Sequence, residues 1–139
     1  MAESSNRIRR LLADSIGECC DEHVERRLGE LDSLADNAFA EDRARPVFAV
    51  LGDETRYRLA RVLATAEDEL CVCELEPLVD VSESAVSHAL SDLVDAGLVA
   101  RRKEGNWRYY RATDLAGDLL QVADRVKRDD ALQSEGEGE

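Results

Sequence analysis

Along this chain the apolar positions recur mostly at helical intervals. Ile8, Leu11, Leu12 and Ile16 return every three or four residues, which predicts a helix over 7–16. Gly17 breaks that pattern just before Cys19 and Cys20. A second stripe, Val24, Leu28, Leu31, Ala35, Ala38 and Phe39, predicts a helix over 21–40 with a charged opposite face. Pro46 suits the first turn of a short helix ending at Gly52. Residues 54–65 restart a helix whose Tyr57, Leu59, Ala60, Val62 and Leu63 form the inward side. A third short helix is expected over 70–79, followed by the turn "VSES". Ser82 is a natural N-cap for a helix over 83–95, with Val86, Leu90 and Leu93 facing inward and Gly97 ending it.

Only then does the period change. "LVARRK" and "WRYYRA" are rich in β-formers and flank the tight-turn sequence "EGN", the one hairpin signal in the chain. Residues 114–128 return to helical spacing through Leu115, Leu119, Val122 and Val126. Helix, turn, helix and then a basic hairpin predict a mainly α fold, a winged helix-turn-helix with a two-stranded β wing. The domain is expected over 1–128, with an N-terminal helical extension and a C-terminal dimerisation helix. The acidic, Gly-rich stretch 129–139 is expected to be a disordered tail. The stripes on 7–16, 21–40 and 114–128 exceed what one small domain can bury, so a homodimer is expected.

Composition changes the picture in two ways. The net charge of −13 argues at first against a nucleic-acid partner, because phosphate binding needs basic surface. The charge is uneven, however: "GLVARRKEGNWRYYR" over 97–111 holds five basic residues against one acid, Glu104. Lysine occurs only at 103 and 127, against sixteen arginines and thirty-one acids, a usage that resembles proteins of salt-loving archaea. No apolar run approaches the roughly 18 residues that span a bilayer, and the N-terminus lacks the apolar core of a secretory signal. A cytoplasmic protein without a membrane partner is expected. Its thiols would stay reduced there, so four cysteines in two close pairs point to metal binding or redox chemistry.

Three stretches, "LGDETRYRL", "ELCVCEL" and "SHALSDLVDAGLV" ahead of "EGNWRYY", resemble the ArsR/SmtB family of metal-sensing transcriptional repressors. The resemblance covers about residues 46–113, and "ELCVCEL" is similar to the arsenic and cadmium/lead branch. It implies a repressor that leaves its operator when a thiophilic ion binds, with Cys71 and Cys73 as ligands. It also implies that N-terminal cysteines, here Cys19 or Cys20 or both, can complete the site as in the cadmium/lead branch, from the partner subunit. The chain departs from the family pattern in places. Ser87-His88-Ala89-Leu90 puts the imidazole one position earlier than the usual Ser-Arg-His-Leu. Glu76 stands where some arsenic sensors carry a third cysteine. Asp114 is present, but Ala116 replaces the histidine of the zinc branch, and no histidine follows His88.

The residues themselves set conditions on such a site. Soft thiolates bind soft ions. Cys71 and Cys73 would lie about 200° apart on an ideal helix, so one ion can take both only where the segment is extended or irregular. A position at a helix N-terminus would also favour the thiolate form. His23, four residues after Cys19, is a further candidate ligand, although beside Asp21 and Glu22 it reads first as a surface residue. On the helix 83–95, Ser84, Ala85, Ser87, His88 and Ser91 lie opposite the inward residues and suit close approach to a major groove of double-stranded operator DNA. Arg101, Arg102, Lys103 and Arg108 are expected at phosphates or the minor groove, while Trp107, Tyr109 and Tyr110 are expected to pack the wing onto the domain.

Nothing here supports an enzyme. Ser87 and His88 diverge on one helix, there is no Gly-rich phosphate loop, and C-x-x-C is absent. No cofactor is required for DNA binding, and the inducer is expected to be arsenite or antimonite first, cadmium or lead second. Two alternatives remain: a redox repressor switched by cysteine oxidation, and a winged-helix docking or thiol metal-carrier module without an operator.

Overall fold

The computed structural model describes the backbone of residues 2–16, 21–40 and 42–136, with side chains over 6–14, 21–40 and 42–127. Cys19 and Cys20 lie outside the described residues. The chain divides into two compact units, 1–42 and 43–139, where the sequence pattern grouped 1–128 as one domain. The first unit holds α1 (Ala2–Ile16) and α2 (Asp21–Phe39), which pack on each other. Arg9 pairs with Asp21, and Val24 is buried.

The second unit carries α3 (Ala44–Leu51), α4 (Glu54–Thr65), β1 (Leu70–Cys71), α5 (Val72–Leu75), α6 (Glu83–Asp95), β2 (Val99–Glu104), β3 (Trp107–Ala112) and α7 (Asp114–Gly136). Its core is apolar and closed: Leu59 of α4, Leu75 of α5, Val86, Leu90 and Leu93 of α6, and Leu98 are all fully buried. The helix ends follow local chemistry. The Asp53 side chain accepts from Arg56 N at 3.0 Å, and Ser82 Oγ accepts from Ala85 N at 3.2 Å, so α4 and α6 begin where an N-cap satisfies an otherwise orphaned amide. At the end of α6, Gly97 takes φ +79°, which lets Leu98 N reach Leu93 O at 3.0 Å.

The motif around Asp53 has a structural purpose. Arg56 donates through Nε to Val50 O at 2.8 Å and through a terminal nitrogen to Asp92 at 3.1 Å. One side chain thereby ties the end of α3 and the middle of α6 to α4.

Two expectations change. The segment 70–79 is not one helix but the two-residue strand β1, the single turn α5 and a 3-10 turn over Glu76–Leu78. Pro77 lacks the amide that an α-helix would need there, which limits α5 to one turn. The sheet accordingly has three antiparallel strands in the order β1-β3-β2, with Leu70 opposite Tyr110 and Cys71 opposite Tyr109. The expected tail also differs, because α7 continues past 128 to Gly136. Residues 129–135, "DDALQSE", contain neither glycine nor proline to stop it. Among the described residues no helix is long and apolar enough to cross a membrane.

Candidate DNA-reading face and dithiol site

Cys71 ends β1 in an extended conformation (φ −89°, ψ 164°) and is also the N-cap of α5. Cys73 follows on the first turn. This junction supplies the irregularity that the C-x-C spacing requires, and it brings the two Cα atoms to 5.4 Å. The sequence pattern was read with both thiols free; here they are joined as a disulfide. Cys71 is buried and Cys73 exposed. The expected help from a helix N-terminus is small. α5 has a single turn, and the Cys71 amide is already taken by Glu74 Oε1 at 3.0 Å, a carboxylate that opposes a nearby thiolate. Among the described residues no three His, Cys, Asp or Glu side chains gather to hold a metal ion. Cys19 and Cys20, the other two cysteines of the chain, lie beyond what is described. His23 is half-buried, with Nδ1 buried and without a hydrogen-bond partner among the described residues.

A cleft of about 330 Å³ opens beside the two sulfurs. Cys71 and Cys73 form one wall, Glu83 and Ser87 of α6 a second, and Asn106, Trp107 and Arg108 of the hairpin a third. Ser84, Ser87 and His88 are exposed on α6, and Ala85 and Ser91 are half-buried beside them. Val86, Leu90 and Leu93 turn the other way into the core. The face available to a DNA groove is therefore small, polar and uncluttered.

The wing splits the basic residues into two groups. In the β2–β3 register Arg101 lies opposite Tyr110 and Lys103 opposite Arg108, so these residues share the face that carries Val99 and Tyr110 into the core. Arg101, Lys103 and Arg108 are exposed and have no ion-pair partner among the described residues. Arg102, also expected at phosphate, lies on the other face with its guanidinium engaged by carboxylates. It holds Glu69 at 2.9 Å and Glu104 at 2.7 Å, and its guanidinium sits 4.8 Å from the Tyr109 ring centroid. The Arg102 hydrogen bond keeps the Glu69 carboxyl below its ordinary range, and the two carboxylates push the guanidinium higher still. The aromatic residues also divide. Tyr110 is buried as expected and Tyr109 is half-buried under Arg102, but Trp107 is 58% exposed and reaches only the wall of the dithiol cleft. A Trp at the first position of a hairpin arm, beside the turn, lies beyond the reach of the core.

Sequence reasoning missed Glu69, Glu104 and Glu83. The Arg102–Glu104 pair was accessible, since residues two apart on a strand share a face. Glu69 had no local signal, because it meets Arg102 only once β1 joins the sheet.

The profile of the arsR family of bacterial regulatory proteins matches residues 53–101. A Halobacterium salinarum protein that bears the name arsenical resistance operon repressor ArsR is 50% identical over 122 residues, 86% of this chain and 94% of that protein. A Staphylococcus aureus protein, named as a homolog of the cadmium resistance transcriptional regulatory protein CadC, is 41% identical over 68 residues. That match covers 49% of this chain and 55% of the relative. Among solved structures, the homodimeric winged helix-turn-helix DNA-binding domain of a Mycobacterium bovis protein superposes with TM-score 0.58 at 25% identity. It covers 71% of this chain and 90% of that one.

Proposed function

The chain belongs to the arsR family of bacterial regulatory proteins, and from that premise we propose that it is a homodimeric repressor that leaves its operator when a thiophilic ion takes Cys71 and Cys73. The observation that carries this reading is the shared cleft: both cysteines, Ser87 of α6 and Arg108 of the wing line one space. A thiolate-bound ion sits about 2.3 Å from each sulfur, which at a tetrahedral angle separates the sulfurs by about 3.8 Å. Reduction followed by coordination therefore respaces Cys71 and Cys73. α5 is one turn long and resists little, while Leu75 anchors it to the core and β1 anchors it to β3. The respacing is passed to both DNA-facing elements. It favours release only as far as the ion binds the released form more tightly than the DNA-bound one.

Arsenite or antimonite takes three thiolates, so the third donor falls to Cys19 or Cys20; cadmium and lead, which accept three or four, are the second choice. The similarity to a protein named for arsenical resistance supports the first, and that to a cadmium-resistance regulator the second. A redox repressor is the alternative, and the Cys71–Cys73 disulfide favours it specifically.

The test is release of an upstream duplex by reduced protein under anaerobic conditions. Arsenite or antimonite should dissociate the complex. Cys71→Ser and Cys73→Ser should each bind DNA normally and respond at least about tenfold more weakly, and the Cys19→Ser/Cys20→Ser double variant should also lose sensitivity. If arsenite, antimonite, cadmium and lead leave the complex intact while peroxide breaks it, the ion reading gives way to the redox one.

A further inference from the structure

Most of the exposed large apolar residues of this chain lie on α1–α3 and α7, or at Leu78 and Val81 in the turn before α6. Trp107 stands apart as the one such residue on the hairpin, among the described residues. Its own unit covers less than half of it, at the rim of the dithiol cleft: Tyr110 fills the inward position of β3, and Tyr109 is occupied by Arg102. Leaving most of an indole in water is costly, so its position calls for a partner.

We propose that Trp107 is the apolar DNA contact of the wing, seated in the minor groove against deoxyribose edges. The inference rests on the DNA-binding reading above and adds a residue of a different chemical kind to it. Three observations name the partner. Arg108 adjoins Trp107 along β3, and Arg108 and Lys103 face each other on the opposite side of the hairpin without ion-pair partners among the described residues, so a tip that turns the indole to one wall of a groove turns two cations to the other. Glu104, directly opposite Trp107, would repel a phosphate, but Arg102, which it shares with Glu69, holds its carboxylate at 2.7 Å and weakens that repulsion. The tip is thin: Gly105 takes φ +62° and a Cβ there would meet nothing within 4 Å. A narrow tip suits a groove about 6 Å wide, where proteins commonly insert apolar wedges beside polar readers such as Asn106. A second copy of the chain is the competing occupant, and nothing at the tip other than the indole is apolar enough to favour it.

An apolar contact has a signature that a cation does not. It displaces no counterions, so its loss lowers affinity without changing the dependence on salt. The chain has one tryptophan, so the intrinsic emission of wild-type protein reports Trp107 directly. With full-length reduced protein and a duplex from its own upstream region, the emission should shift to the blue or quench on binding. Trp107→Ala should weaken binding about ten- to a hundredfold at every salt concentration, leaving the slope of log affinity against log salt unchanged, and Trp107→Phe should recover part of the loss. Wild-type binding with unaltered emission, or equal affinity in a folded Trp107→Ala, overturns the proposal. So does an emission change that tracks protein concentration in the absence of DNA, which would give the indole to a second copy. Failure of the wild type to bind any duplex would instead remove the regulator reading, and this inference with it.

Discussion

At Arg102 one guanidinium meets Glu69, Glu104 and the ring of Tyr109, while its neighbours Arg101 and Lys103 meet no carboxylate among the described residues. Consecutive basic residues on one strand thus do different things, because alternate side chains face opposite sides of the sheet. Arg101→Ala should lower the salt slope of DNA binding by about 0.9, the value for one lost phosphate contact. Arg102→Ala should weaken binding by a different route, by unmasking two carboxylates, and adding Glu104→Gln should restore much of that loss but none of the loss in Arg101→Ala. Competition binding across a salt series separates the two. Glu69 gives a pH prediction with a definite sign. Its folded pKa is lowered, so its contribution to stability is complete above the unfolded value and disappears as pH falls through the folded one. Carboxyl-carbon NMR titration should place the Glu69 midpoint below 4.5, and Arg102→Ala should return it toward that ordinary value. The sequence showed a basic wing but not which cations were free. That depended on where β1 docks, and no residue near Arg102 in the chain encodes it.

Among the elements, α4 and α6 match their predicted spans of 54–65 and 83–95 because their limits are set locally, by Asp53, Ser82 and Gly97. The segment 70–79 went wrong for the opposite reason. Its strand exists only by pairing with Tyr109 and Tyr110, far along the chain, and a run of Leu, Cys and Val carries no period that reveals it. Pro77 was the one local signal that a long helix could not form. The caps have measurable cost. Gly97→Ala would meet no atom within 4 Å, so its penalty is purely that of a left-handed backbone, about 1–2 kcal/mol. Ser82→Ala should cost about 1 kcal/mol through the lost bond to Ala85 N. Urea unfolding should report both, and Leu90→Ala, which empties a fully buried position, should cost about 2–5 kcal/mol in the same assay.

At the scale of the whole molecule, the residues of α7 fall on two adjoining stripes. Ala116 and Leu120 enter the core, while Leu115, Val122 and Val126 remain outside it. A second copy is the natural cover for the outer stripe, in keeping with the homodimeric relative of the same fold. Val122→Asp/Val126→Asp should leave the domain folded and turn the sedimenting species into a monomer that no longer binds paired half-sites; a wild type that is already monomeric at micromolar concentration would contradict the proposed assembly. The two-residue strand β1 has a consequence of another kind. It covers the outer edge of β3 only at Tyr109 and Tyr110, so any event that lifts the dithiol segment away leaves "WRYYRA" as an open sheet edge, the kind of surface that pairs with stray strands and aggregates. Arg108 and Arg111, exposed on that strand, carry the charges that keep such an edge from closing on a copy of itself. The dithiol segment is therefore also the guard of the sheet, and the two arginines oppose the pairing of that strand with a copy of itself once the guard lifts.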